Sequence, residues 1–134
     1  MNKFFVTGGN TLRGTVEIGG MKNAAVAIIP ATILAQGVCV LENIPNVSDV
    51  TLLLQMLTEM GARVRMLGKK TVEIDTSYLC DPVVPYDLAR NMRASYYFLG
   101  SLLGRCGQAS VSMPGGCNFG VRPIDQHIKG FEAM

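Results

Sequence analysis

Met21-Lys22-Asn23-Ala24-Ala25-Val26 opens an apolar run that ends near Gly37, and Met92-Arg93-Ala94-Ser95-Tyr96-Tyr97 opens a second that ends near Gly107. Lys22 and Arg93 stand 71 positions apart. A period of this kind constrains architecture before any motif is weighed, because each copy is one supersecondary unit that must bury its apolar face against its surroundings. After each run comes a short alternating strand, residues 38–41 and 109–113, followed by a proline, a loop and an amphipathic helix ending at Met60 or Met134. Those two ends are 74 positions apart, so three residues are added in the second copy, and Gly115-Gly116-Cys117 is the natural place for them. The second copy thus carries an inserted loop on a repeated scaffold, where function tends to be added.

The first copy continues beyond Met60 with residues 63–66, a turn at Gly68, and residues 71–74, a β-hairpin with a lysine-rich turn. Leu52, Leu53, Met56, Leu57 and Met60 recur at helical spacing and form the core stripe of a half-buried helix. Upstream, Phe4 to Thr7 and Gly14 to Ile18 predict an opening hairpin. The expected class is α/β, or α+β by some schemes, built from βαβαββ-like units in which helices cover a sheet. The organisation is an opening hairpin over residues 1–20, a first repeat over about 21–76 and a second over about 84–134. The second repeat stops at the end of its helix without a cap or further strands, which predicts a fragment of something longer.

Composition narrows the function. Of 134 residues, 49% are hydrophobic and 16% charged, enough apolar material for a packed core. Twelve basic residues against ten acidic ones give a net charge of +2, too small and scattered for a nucleic-acid surface. The longest apolar stretch, residues 24–35, is interrupted by Pro30 and Thr32 and falls short of the roughly 20 residues a membrane span needs. Residues 1–7 show no leader pattern before Gly8 and Gly9, so the expected location is cytoplasmic. Cys39, Cys80, Cys106 and Cys117 have no CxxC spacing and accompany a single histidine, which argues against a zinc site and a disulfide framework.

Two segments could carry chemistry. Gly19-Gly20-Met21-Lys22-Asn23 sets flexible residues before a helix start, where backbone N–H groups and an ammonium can converge on an anion, although taken alone a solvated lysine is the simpler reading. Pro114-Gly115-Gly116-Cys117-Asn118-Phe119-Gly120-Val121-Arg122-Pro123 is more specific, since three glycines and two prolines shape a loop that presents one cysteine. Arg122 beside that thiol would favour its thiolate, and Cys117 could be an acid, a nucleophile, a site of alkylation or a plain exposed thiol. Asp125 and His127 open the next helix, where a capping aspartate and a surface histidine are simpler than a Cys117–His127 dyad.

The segments Gly20 to Ala25, Arg93-Ala94-Ser95, and Pro114 to Cys117 continuing through Gly120-Val121-Arg122-Pro123 with Asp125 and His127 together resemble UDP-N-acetylglucosamine enolpyruvyl transferase, in that family's order and spacing. The likeness runs from Phe4 to the last residue. It implies transfer of the enolpyruvyl group of phosphoenolpyruvate to the 3-hydroxyl of UDP-N-acetylglucosamine with release of phosphate, the first committed step of peptidoglycan synthesis, without cofactor or metal. By this resemblance Lys22, Asn23 and Arg122 bind phosphoenolpyruvate, while Cys117 is general acid and the point of attack of fosfomycin. Asn23, Arg93, Arg122, Pro123, Ile124, Asp125 and Gln126 line the nucleotide-sugar site. The family fold is an inside-out barrel of βαβαββ units in two domains. It places the opening hairpin in the carboxy-terminal domain, along with the general-base aspartate, so this chain is expected to be inactive without that partner. Tyr97 stands where some relatives have tryptophan. A non-catalytic nucleotide-sugar or phosphate-binding module, an enolpyruvylshikimate phosphate synthase relative and a thiol redox protein are the alternatives. The cysteine loop counts against the second and the lack of a nearby resolving cysteine against the third.

Overall fold

The computed structural model describes residues 3–79, 81–113 and 124–134. Helix α1 (Lys22–Ala31) begins after Met21, which adopts extended backbone, and passes into a 3-10 turn at Thr32–Leu34. Pro30 sits inside α1 and is buried with Ala25, Val26 and Ile29, whereas Ala24, Ile28 and Ala31 are exposed, so the apolar stretch is a helix buried on one face. Gly37, at φ 143°, turns the chain into strand β1 (Val38–Leu41). Helix α2 (Ser48–Glu59) leads into strands β2 (Arg63–Met66) and β3 (Val72–Asp75), the hairpin expected from the sequence.

The sheet order is β1-β3-β2, with both neighbours antiparallel to β3. Strands β1 and β2 therefore run parallel to each other, joined by α2, with β3 inserted between them. This is a split βαβ unit. Its register sets Cys39, Ile74 and Val64 in one row and Leu41, Val72 and Met66 in another. Val72 and Ile74 are fully buried beneath the helices, whereas Glu73 and Asp75 alternate to the other face. On that open face Arg65 grips Glu73 through two hydrogen bonds of 3.1 and 3.2 Å, and the Arg63 guanidinium lies 4.3 Å from the centre of the Tyr78 ring.

The core lies between this sheet and the helices. The α2 stripe behaves as the spacing predicts, with Leu53, Met56, Leu57 and Met60 buried. Ile29 and Ile33 meet Phe98 and Leu102 of helix α4 (Tyr97–Cys106), which is preceded by the short helix α3 (Tyr86–Ala89) and a 3-10 turn at Arg93–Tyr96. Gly107 closes α4 in the left-handed conformation at φ 70°, and its N–H donates to Leu103 O at 2.9 Å. Buried Thr76 donates through Oγ1 toward Ala35 O at 3.0 Å and Thr32 O at 3.3 Å, tying the end of β3 to the end of the first apolar run.

Three expectations change. Phe4–Thr7 and Gly14–Ile18 form no strands, and Phe4, Phe5, Val6, Val16 and Ile18 are each at least 80% exposed, so the hairpin is not formed here. A two-stranded ribbon with no surface to pack on is marginal in water. Residues 109–113 are not a full strand either; they contribute one parallel bridge, Ser110 with Val83. Finally, helix α5 (Asp125–Glu132) has Ile124 as its N-cap residue, and Asp125 lies one position inside it. Its side chain does not cap the helix, but its charge still faces the positive helix start.

Candidate functional site: a cationic cleft at the start of a helix

The first turn of α1 leaves amides without intrahelical acceptors, as every helix start does, and no side chain caps them. Beside that turn lies an open cleft of about 550 Å³, lined by Lys22, Asn23, Asp49, Asn91, Arg93 and the tyrosine pair Tyr96 and Tyr97, with Val26, Met92 and Ala94. Three residues separated by up to 71 positions in the sequence, Lys22, Asn23 and Arg93, are thus brought to one cavity. Packing of α1 against α4 creates it, because the two apolar runs lie side by side and their amino-terminal ends meet at its rim.

The cleft carries two cations and one carboxylate. Lys22 ion-pairs with Asp49 of the first turn of α2, while remaining half-exposed. The Arg93 Nε is buried without a hydrogen-bond partner among the described residues. A buried, unsatisfied guanidinium nitrogen is costly unless an acceptor reaches it. The Arg93 guanidinium stands 6.0 Å from the Tyr96 ring centre, the outer limit of a cation–π contact. Tyr96 and Tyr97 stack with centroids 4.6 Å apart. A side-chain hydrogen bond with Tyr97, reinforced by burial, raises the Tyr96 phenol above its ordinary value.

Helix α5 reaches this cluster from the other side. His127 is exposed, as expected of a surface histidine, yet its ring lies 5.3 Å from Tyr96. Ile124 is buried, while Asp125 and Gln126 are exposed and bonded to each other at 3.1 Å. Neither Ile124 nor its two neighbours lines the Lys22 cleft. Cys117, Arg122, Pro123 and Cys80 lie outside the described residues. Asp49 and Tyr96 were not singled out from the sequence. Asp49 had one available signal, an acid in the first turn of a helix that follows a basic helix start; Tyr96 had none, since adjacent tyrosines read as core.

The split βαβ unit, with a cleft at a helix start lined by Lys22 and Arg93, defines an α/β domain. The chain belongs to the EPSP synthase (3-phosphoshikimate 1-carboxyvinyltransferase) family, whose model matches residues 6–134. Among curated proteins it is 53% identical to UDP-N-acetylglucosamine 1-carboxyvinyltransferase 2 of Clostridium acetobutylicum, and 51% identical to UDP-N-acetylglucosamine 1-carboxyvinyltransferase of Clostridium botulinum. Both matches take in 100% of this chain, which spans 32% of the length of each relative. Among solved structures, the enolpyruvyl transferase NikO from Streptomyces tendae superposes with a TM-score of 0.66 at 30% identity, over 76% of this chain and 24% of that one. The α/β class and the enolpyruvyl transferase likeness expected from the sequence are thereby borne out. No helix among the described residues is long and apolar enough to cross a membrane.

Proposed function

We propose that this chain forms the phosphoenolpyruvate-holding part, and one wall of the nucleotide-sugar site, of a UDP-N-acetylglucosamine 1-carboxyvinyltransferase acting in cytoplasmic peptidoglycan synthesis. The observation that carries the reading is the meeting of Lys22, Asn23 and Arg93 at one cleft. Phosphoenolpyruvate bears a phosphate and a carboxylate, and its recognition needs a point cation and free N–H donors, which Lys22, Asn23 and the α1 start provide, and a planar cation, which is Arg122. Lys22 and Asn23, with Arg122, hold the phosphate end. Arg93 faces the nucleotide sugar, whose remaining contacts are Arg122, Pro123, Ile124, Asp125 and Gln126.

Cys117 serves as the general acid toward the methylene carbon of phosphoenolpyruvate, and its thiolate is the group fosfomycin alkylates. Residues supplied beyond these 134 complete the site, including the general base. The curated relatives named for UDP-N-acetylglucosamine, together with the cysteine loop, favour that acceptor over shikimate phosphate.

The test is phosphate release from phosphoenolpyruvate and UDP-N-acetylglucosamine, measured with this chain alone and with the carboxy-terminal remainder of a relative supplied. Turnover on complementation, abolished by Cys117→Ser together with its fosfomycin labelling, is the expected result. Turnover that survives Cys117→Ser would remove the cysteine from the mechanism. Turnover with shikimate phosphate instead would move the protein to the other acceptor.

A further inference from the structure

We propose that Asn43 is a positioning residue for the anion cleft, clamping the backbone that delivers Lys22; the proposal rests on the phosphoenolpyruvate reading above. The Gly20 N–H donates to Asn43 Oδ1 at 3.2 Å. The two backbones approach so closely that a Cβ on Gly20 would fall 1.7 Å from Asn43 O and 3.3 Å from Pro45 Cδ. Asn43 itself has φ 56°, the left-handed region that asparagine tolerates better than most residues.

The clamp is anchored on its far side. Ile44 is buried in the core, and its N–H donates to Lys70 O at 2.9 Å in the turn between β2 and β3. Six residues beyond Asn43, the same segment presents Asp49 to the Lys22 ammonium. One stretch of chain therefore fixes Lys22 twice, its backbone through Asn43 and its charge through Asp49.

Position explains why this matters. Residues 3–19 are exposed, so Gly20 is the last anchored residue before α1 among those described. The first helical hydrogen bond at this end is Ala25 N–H to Met21 O, at 3.1 Å. Lys22 and Asn23 thus occupy the end of a helix that would fray into an unpacked arm if Gly20 were released. An anion site built from a side chain and the amides of that same turn needs both held still.

The experiment titrates phosphoenolpyruvate into this chain and into its Lys22→Ala, Asn43→Gly and Gly20→Ala variants, and follows amide exchange in each. Asn43→Gly keeps the left-handed backbone but removes Oδ1, and Gly20→Ala forces the two backbones apart. Both should weaken binding by about 3- to 10-fold, the scale of one lost hydrogen bond. Both should speed exchange of the Ala25 amide while the amides of β3 keep their protection, a local signature that general loss of stability would not give. Wild-type affinity in Asn43→Gly and Gly20→Ala, with Lys22→Ala defective, would overturn the positioning role alone. Equal affinity in Lys22→Ala and the wild type would overturn the phosphoenolpyruvate reading and take the Asn43 proposal with it.

Discussion

The two copies of the repeat carry matching amphipathic helices with different fates. In the first copy α2 lies against β2 and buries Val50, Leu53, Met56 and Leu57, while in the second α5 buries none of its own residues. Ile128 and Phe131, the large apolar side chains of α5, remain 40% and 37% exposed above a cavity of about 490 Å³ lined by Leu99, Leu103 and Val111. What differs is the hairpin: residues 63–75 fold β2 and β3 beneath α2, and no counterpart follows α5 in these 134 residues. The chain just ahead of each copy shows a similar contrast. Val83 pairs in parallel with Ser110, but Leu12, 71 positions before Val83, is unpaired and 92% exposed. An amphipathic pattern is thus not sufficient for a helix to be buried; a partner surface must be in place.

The sharpest way to break this comparison is to truncate matched positions. Leu57→Ala should cost about 2–5 kcal/mol in urea unfolding, since its side chain is fully enclosed. Ile128→Ala should cost less than about 1 kcal/mol, and equal losses at the two positions would show α5 to be packed as tightly as α2. Of intermediate size is the exposed apolar arm, where Phe4, Phe5 and Val6 together should drive association of the chain. Replacing all three with serine should shift sedimentation toward the monomer, and an unchanged profile would place the sticky surface elsewhere.

A smaller effect belongs to the seam of α4. A Cβ at Gly100 would meet Phe131 of α5 at an ordinary 3.5 Å, so Gly100→Ala should add up to about 1 kcal/mol of helix stability. At Gly104 the new Cβ would come within 2.9 Å of Leu34 Cδ2, and Gly104→Ala should gain less. Thermal midpoints of the two variants compare these sites directly.

The smallest concerns alkali. Because the Tyr96 phenol is raised in the folded state, its contribution is fully present below the unfolded value of about 10 and is lost as pH rises through the higher folded value. Phenolate absorbance of the wild type against Tyr96→Phe should show one tyrosine titrating late.

Much of this was legible in the sequence, for reasons that differ by element. The α2 stripe and the hairpin at residues 63–74 are local patterns whose burial partner follows within the same stretch, so period and turn residues identified them. The opening hairpin failed because alternation reports a strand's capacity to pair and not the presence of a surface. Residues 109–113 failed similarly, with a single bridge where alternation predicts a strand. Of the site, Lys22 stood out at a helix start behind two glycines, and Arg93 entered only through the family resemblance. Asp49 and Asn43 act through contacts between separate elements, which spacing does not encode.

The central place of β3 also orders how the sheet assembles. Met66 meets Val72 within six residues, but Val38 must find Asp75 across 37, and the longer closure costs about 1.6 kcal/mol more in chain entropy. The lower closure cost favours the hairpin as the template on which β1 docks, with the Asn43 loop directly behind it. The Asn43 loop that holds Gly20 lies directly beyond β1, so its place depends on the most distant strand pairing in the sheet.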